Sequence, residues 1–372
     1  MTGPTLPGAV PVLRLVVFAV AVALILVGVR LSRPPHDLTI EVGAVGGSYY
    51  ENAVRYRDIL AARGIDLHIV PQPDSLRIIK DVATPGSGID IGFTAQDLSA
   101  AADLPVATIG LVQLQPMFIF ASADLGRRSI LNDLRGRRVV TLPSNSASAE
   151  ATLRVFELYD ITPENTSFTF LPLADAVREL RAGRFDAGVF ILAPENQVIR
   201  DLAADTGLHL VPIPEMRAIA HHLPFLRLVV LPRGIYNIAD AVPPNDTPML
   251  AAPVGVVARK GLNPWLVYSL LEAIAKAHRA ATLVSDAGDY PTIVGSQMAV
   301  DPLAARWYQS GTPWIWRELS PELASFLDRY ALEEMGALVF SGIVISIAFL
   351  AEIISLVLCA FAWLRRRRAA PP

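Results

Sequence analysis

The apolar positions fall into two long runs at the chain ends and many short runs between them. Leu15–Val29 is an unbroken apolar stretch, LVVFAVAVALILVGV, with Val12, Leu13 and Leu31 around it. It approaches the ~20 residues that a membrane-spanning helix needs. Met335–Leu364 is the second long run, with Glu352 its single charged residue. Arg365, Arg366, Arg367 and Arg368 follow directly, and four arginines beside an apolar helix are a positive-inside signal. Core helices rarely run this long without a polar face.

Between the ends, from Leu38 to about Leu332, β-branched stretches alternate with segments of helical period. Leu38–Val42 reads as a strand, Ser48–Arg63 as a helix and Leu67–Val70 as a strand. A short helix begins at Asp74, and Ile89–Phe93 is a third strand. This βαβαβ order predicts a parallel sheet with right-handed crossovers. The order recurs with a different sequence: strands at Arg138–Leu142, Phe168–Leu171 and Phe185–Ile191, helices at Ser146–Tyr159 and Ala174–Arg181. The layout predicts two similar α/β lobes. Val106–Phe120 and Ala251–Arg259 are expected to be long strands crossing between them. Asn263–Arg279 reads as a further helix, and Ser320 before Pro321 as a helix start. The expected organisation is a transmembrane anchor or uncleaved signal at 12–31, one lobe from 38–114 and 252–332, the other from 115–251, a C-terminal transmembrane helix at 335–364 and a cytoplasmic basic tail at 365–372.

The first apolar run has two readings. Arg14 gives it the basic flank of a secretory signal. Cleavage needs small residues just past the run, and Gly28 is followed by Val29, Arg30 and Leu31, which favours an anchor that stays. Glu352 also has two readings. An ionisable group in a span is costly and by default a candidate contact for a partner membrane protein; alternatively it lies off-centre or is protonated.

Composition narrows the function. The 372 residues are 52% hydrophobic and 18% charged, with a formal net charge of -3. Nucleic-acid binding needs clustered Lys and Arg, which the central segment lacks. The one cysteine, Cys359, excludes an intramolecular disulfide and argues against a thiolate metal site. The motifs H-E-x-x-H, G-x-S-x-G and G-x-x-x-x-G-K-S/T are absent, and Gly43, Gly46 and Gly47 do not have dinucleotide spacing. His221 and His222 are adjacent and point apart. No metal, cofactor or catalytic residue is expected.

Two turns suit an anion. Gly46-Gly47-Ser48-Tyr49 lies where the first strand meets its helix, and Ser144-Asn145-Ser146-Ala147-Ser148 holds the same place in the second unit. Glycines allow close backbone approach, and helix N-termini favour negative charge. Ser48 and Ser146 read equally as plain N-caps. Gln96 ends the third strand on the side where α/β sheets bind ligands, although a helix cap at Asp97 explains the pair as well. Asn196, after Phe190–Pro194, and Tyr236, on a loop after Gly234, are further candidate contacts.

The segments GAVGGSYY (Gly43–Tyr50), IDIGFTAQD (Ile89–Asp97), LRGRRVVTLP (Leu134–Pro143) and LRAGRFDAGVFI (Leu180–Ile191) resemble the TAXI family. DPLAARWYQSGTP (Asp301–Pro313) fits its C-terminal part, so the similarity covers roughly Leu38 to Trp316. These are extracytoplasmic solute receptors of tripartite ATP-independent periplasmic (TRAP) transporters. The resemblance implies a two-lobed, type II periplasmic-binding-protein fold and a small carboxylate ligand such as glutamate or 2-oxoglutarate. It also implies delivery to an ion-driven integral membrane permease. By resemblance, Gly47, Ser48 and Tyr49 match the first ligand loop, Gln96 the polar residue after the third strand, and Ser146 and Ser148 the second loop. Here that loop is NSAS, where the family usually has a G-S-G-T-like sequence. A chain tethered twice cannot diffuse as most of the family does. The expectation is a receptor on the periplasmic or extracellular face of a bacterial cytoplasmic membrane, C-terminus cytoplasmic, in contact with lipid. The competing expectation is a ligand-sensing or regulatory interaction module in the same place. An enzyme on this fold would need an acid/base pair in the cleft, which the sequence does not offer.

Overall fold

The computed structural model describes residues 9–72, 74–96, 103–126 and 130–331. The chain divides into two units, one being Pro35–Gly311 and the other holding the residues before and after it. The second apolar run, Glu352 and the basic tail lie outside the described residues, as does Asp97. In the smaller unit the first apolar run forms helix α1 (Ala9–Leu31). At 1.5 Å per residue α1 is ~34 Å long, with Val20, Leu26 and Val27 each more than half exposed. Its side chains at 9–17, 21 and 24 lie outside the described set. Among the described residues, no helix is long and apolar enough to cross a membrane.

Within Pro35–Gly311 the first βαβαβ unit is β1 (Asp37–Val42), α2 (Ser48–Ala61), β2 (Asp66–Pro71), α3 (Ile78–Ala83) and β3 (Ile91–Thr94). β1 pairs in parallel with β2 and β3. α3 starts four residues later than the sequence predicts. The Asp74 carboxylate accepts from the Arg77 amide, so Asp74 closes a turn and the helix follows it. β3 starts two residues late because Asp90 is taken up elsewhere. Its carboxylate accepts from the Thr39 amide and pairs with Arg259. Gly92 lets α3 lie close on the sheet: a Cβ there would be 2.3 Å from Ile78 Cγ2.

β4 (Val106–Ser122) is almost wholly buried along its 17 residues. The second unit is β5 (Arg138–Thr141), α4 (Ala147–Glu157), β6 (Ser167–Phe170), α5 (Leu173–Arg181) and β7 (Ala187–Ile191). It is followed by α6 (Gln197–Ala203), β8 (Leu208–Leu210), α7 (Met216–His222) and β9 (Arg227–Leu231). β10 (Thr247–Arg259) then pairs antiparallel with β9 at its start and with β4 over Ala251–Arg259, with register shifts at Val254/Gly255 and Val256/Val257. α8 (Pro264–His278) and α9 (Pro302–Ser310) complete this unit. In the smaller unit α10 (Trp314–Glu318) and α11 (Pro321–Ala331) follow, with Phe326 of α11 beside Gly28 of α1.

The strands form one sheet in the order β2-β1-β3-β10-β4-β7-β5-β6. β4 and β10 at its centre carry the chain between the two α/β halves, so the architecture is periplasmic-binding-protein-like. Two long strands buried on both faces read as continuous apolar runs. The second lobe packs around Phe118, Phe120 and Phe190, and α3 covers the first with Ile78, Ile79 and Val82.

Candidate functional site

Two helix N-termini, one from each lobe, reach the wall of a cavity of about 320 Å³. They are built differently. At α2, Gly46 holds φ at +82°, and a Cβ there would touch nothing, so the glycine is required by conformation alone. This turn delivers Gly47 as an N-cap with no side-chain capping bond. The Gly47 amide is used, donating to the Ala44 carbonyl. The amides of Ser48 and Tyr49, in the first helical turn, have no intrahelical acceptor and carry the positive end of the helix dipole.

At α4 two of the first amides are used. Ser146 caps the helix by accepting from the Ala149 amide, and the Ala147 amide donates to Ser75 Oγ at 2.9 Å. Ser148 Oγ accepts from the Ile191 amide. The NSAS hydroxyl oxygens therefore accept from the protein and keep their protons to donate, and the Ser148 amide is the one first-turn amide left by helix geometry.

Several of these bonds join the lobes. The Ala193 amide donates to Ser48 Oγ at 3.1 Å, the Ala147 amide to Ser75, and the Leu76 amide to the Asn145 carbonyl at 3.4 Å. The Leu283 amide donates to Glu195 Oε1 at 2.7 Å. The lobes are closed over the cavity.

The cavity wall is mainly apolar, with Leu142, Leu173, Leu192 and Ala252 among its residues. None of the described residues lining it is charged. Gln115 of β4 is the exception to the apolar wall. It is 3% exposed, lines the cavity, and its Nε2 has no hydrogen-bond partner. Gln113, two residues earlier and so on the same strand face, accepts from Asn52 Nδ2 of α2 at 3.1 Å. Tyr49 stacks on Phe93 with ring centroids 5.2 Å apart, and burial raises its hydroxyl above the usual phenol range.

Of the residues singled out from the sequence, Gly47, Ser48, Tyr49, Ser146 and Ser148 line this cavity. Ser144 and Asn145 are exposed and do not. Asn196 caps α6 by accepting from the Val198 amide, and its Nδ2 lies 3.5 Å from Glu51. The Tyr236 hydroxyl donates to the Pro194 carbonyl while its ring packs on the second-lobe core. Gln96 lines a separate cavity of about 20 Å³ with Thr94 and Arg227, and its Oε1 is buried without a partner. Sequence reasoning missed Gln115 and Ser75. The signal for the first was present, since Gln113 and Gln115 are the polar breaks in an otherwise apolar strand. Ser75 is brought in by tertiary folding alone. Asp37, Asp66 and His68 also come together, with ligand atoms within 4.8 Å, but all three are exposed on the β1–β2 edge.

The profile described as the NMT1-like family matches residues 102–294 of the 372. The chain belongs to the NMT1-like family. In this NMT1-like protein the match spans both crossing strands and the whole second lobe, and begins after the α2 turn. Solved structures with a similar arrangement include the alkanesulfonate-binding protein SsuA from Xanthomonas axonopodis pv. citri bound to MOPS. It is 16% identical, with a TM-score of 0.44 over 66% of this chain and 73% of that one. An ancestral arginine-binding protein bound to arginine is 15% identical, with a TM-score of 0.44 over 67% and 95%. The periplasmic aliphatic sulphonate binding protein SsuA from Escherichia coli is 17% identical, with a TM-score of 0.43 over 79% and 83%.

Proposed function

We propose that this NMT1-like protein is a solute receptor that closes its two lobes on a small organic anion and passes it to an integral membrane permease. The observation that carries the reading is the cavity between the lobes, with the uncapped N-terminus of α2 at its wall. Amides at a helix start bind an anion without a counter-charged side chain. Closure on a ligand needs a difference in affinity between open and closed states, and a solute touching both helix starts supplies it.

The finer assignment is to the TAXI receptors of TRAP transporters, from the four segments that resemble that family. The same resemblance suggests a glutamate- or 2-oxoglutarate-like carboxylate. We place the receptor on the outer face of a bacterial cytoplasmic membrane. Two features of the sequence support this: the apolar run at 335–364 and the arginines that follow it. A thermal-shift screen of the full chain in mild detergent, against carboxylates, amino acids and inorganic anions, tests the receptor reading. A ligand at 100 times its Kd adds ~2.7 kcal/mol of stability. No shift across the panel from a folded sample sinks the reading.

A further inference from the structure

We infer that the solute is a monocarboxylate with an apolar tail, such as a branched-chain 2-oxo acid, and that Gln115 selects it. This rests on the receptor reading above and names the ligand class of the same cavity.

Two independent features define a single polar anchor. One is the start of α2, where the Ser48 and Tyr49 amides are left without acceptors by helix geometry. The other is Gln115, whose Nε2 is a buried donor with nothing to donate to. A buried unsatisfied donor is costly and rare in folded proteins. Its place on the cavity wall, on the strand face that Asn52 of α2 ties down through Gln113, indicates an acceptor supplied by the ligand. The two features together suit one carboxylate. Glu51, in the same first turn, is exposed, so solvent screens its opposing charge.

Among the described residues, the rest of the cavity has no counter-charge for a second anion. Leu142, Leu173, Leu192 and Ala252 line it, and the α4 start has spent the Ala147 and Ala149 amides on Ser75 and Ser146, which leaves the Ser148 amide and the serine hydroxyl protons. Among the described residues, no Lys, Arg or His lines the wall. A second carboxylate buried there would lose its hydration for neutral donors alone, with no counter-charge, whereas an alkyl tail gains by leaving water. At water's share of ~30 Å³ per molecule, the cavity takes at least about ten non-hydrogen atoms. That length admits 4-methyl-2-oxopentanoate and equally 2-oxoglutarate, so charge and not size separates them.

The test is isothermal titration and thermal shift on the full chain in detergent micelles. The ligands are 4-methyl-2-oxopentanoate, 4-methylpentanoate, 4-methylpentanamide, 2-oxoglutarate and glutamate. The two apolar monocarboxylates should bind at least a hundred-fold more tightly than either dicarboxylate. Gln115→Leu should weaken them on the order of ten- to a hundred-fold, the loss of one hydrogen bond to a charged group. It should do so without lowering the melting temperature of the unliganded protein, because it removes an unsatisfied donor. Equal or tighter binding of the dicarboxylates overturns this inference and leaves the receptor reading standing. Tighter binding of the amide overturns the carboxylate anchor. An undiminished affinity in Gln115→Leu overturns its role, and binding by no member of the panel overturns the inference outright. If other anions in the wider screen then shift the melt, the receptor reading survives without it.

Discussion

A buried tyrosine–histidine pair gives the main unit a pH dependence of calculable sign and size. Tyr56 of α2 is fully buried and His278, at the end of α8, is 8% exposed. The phenol oxygen and imidazole Nε2 are 2.7 Å apart, so a neutral imidazole accepts the phenol proton. Burial, helped by the charge of Arg55, lowers the imidazole from 6.5 to about 4. The unfolded chain takes up this proton below pH 6.5 and the folded chain does not. The stabilisation is therefore complete above pH 6.5 and is lost as the pH falls from 6.5 to 4. At ~1.36 kcal/mol per pH unit the loss is about 3 kcal/mol, a large part of the 5–15 kcal/mol typical of a domain. Glu41 acts in the opposite sense. Burial, with the nearby Asp81, raises its carboxyl from 4.5 to about 7, so its stabilisation is present below pH 4.5 and lost as the pH rises through 7. The two effects oppose each other between pH 4.5 and 6.5, and the wild-type profile should be shallow there. Urea unfolding of the full chain in mild detergent, followed by circular dichroism from pH 4 to 8, separates them. Glu41→Gln should show stability climbing steeply from pH 4 to 6.5, and adding His278→Gln should flatten the curve. A flat profile for Glu41→Gln alone refutes the neutral buried imidazole.

Other substitutions probe the closure and the packing. Ser48→Ala leaves the Ala193 amide without its acceptor across the lobes. This costs the closed state ~1–3 kcal/mol and should speed ligand release about ten-fold or more in stopped-flow; an unchanged release rate would remove that bond from closure. Gly92→Ala drives a Cβ to 2.3 Å from Ile78 and 3.2 Å from Val82. Overpacking of this kind costs ~1–3 kcal/mol, read as a lower melting temperature. Gly46→Ala meets no atoms but forces a positive φ on alanine, at ~1–2 kcal/mol. Its effect should fall more on ligand affinity than on global stability, measured by titration and melting side by side.

The fold was legible wherever hydrophobic period and burial agree. β4 and β10 announced themselves as long apolar runs because both their faces are covered, and the βαβαβ order recurred because each lobe is wound the same way. Element starts at Asp74 and Ile89 were misjudged for one physical reason. Asp74 and Asp90 spend their carboxylates on backbone amides, and such side-chain bonds leave little trace in a hydrophobic pattern. The α2 turn was legible because a glycine at positive φ before a helix start is a local feature. The occupied state of the Ala147 amide and the Ser148 hydroxyl oxygen was not, since Ser75 and Ile191 are distant in sequence and meet them only in the folded chain. Gln115 stood in plain view as a polar residue in an apolar strand. Only its missing partner, which is a property of three dimensions, marks it as a ligand contact.

The central claim is that the lobes close on a solute held between them. It is tested most directly by spin-label distances across the cleft. Cys359, the one cysteine of the chain, is replaced by serine, and Arg57→Cys on α2 and Arg181→Cys on α5 place a label on an exposed site of each lobe. The account predicts a broad distance distribution without solute that collapses to its short component at concentrations of 4-methyl-2-oxopentanoate that saturate the thermal shift. A distribution unmoved by any solute that shifts the melt would contradict it and place binding elsewhere on the chain.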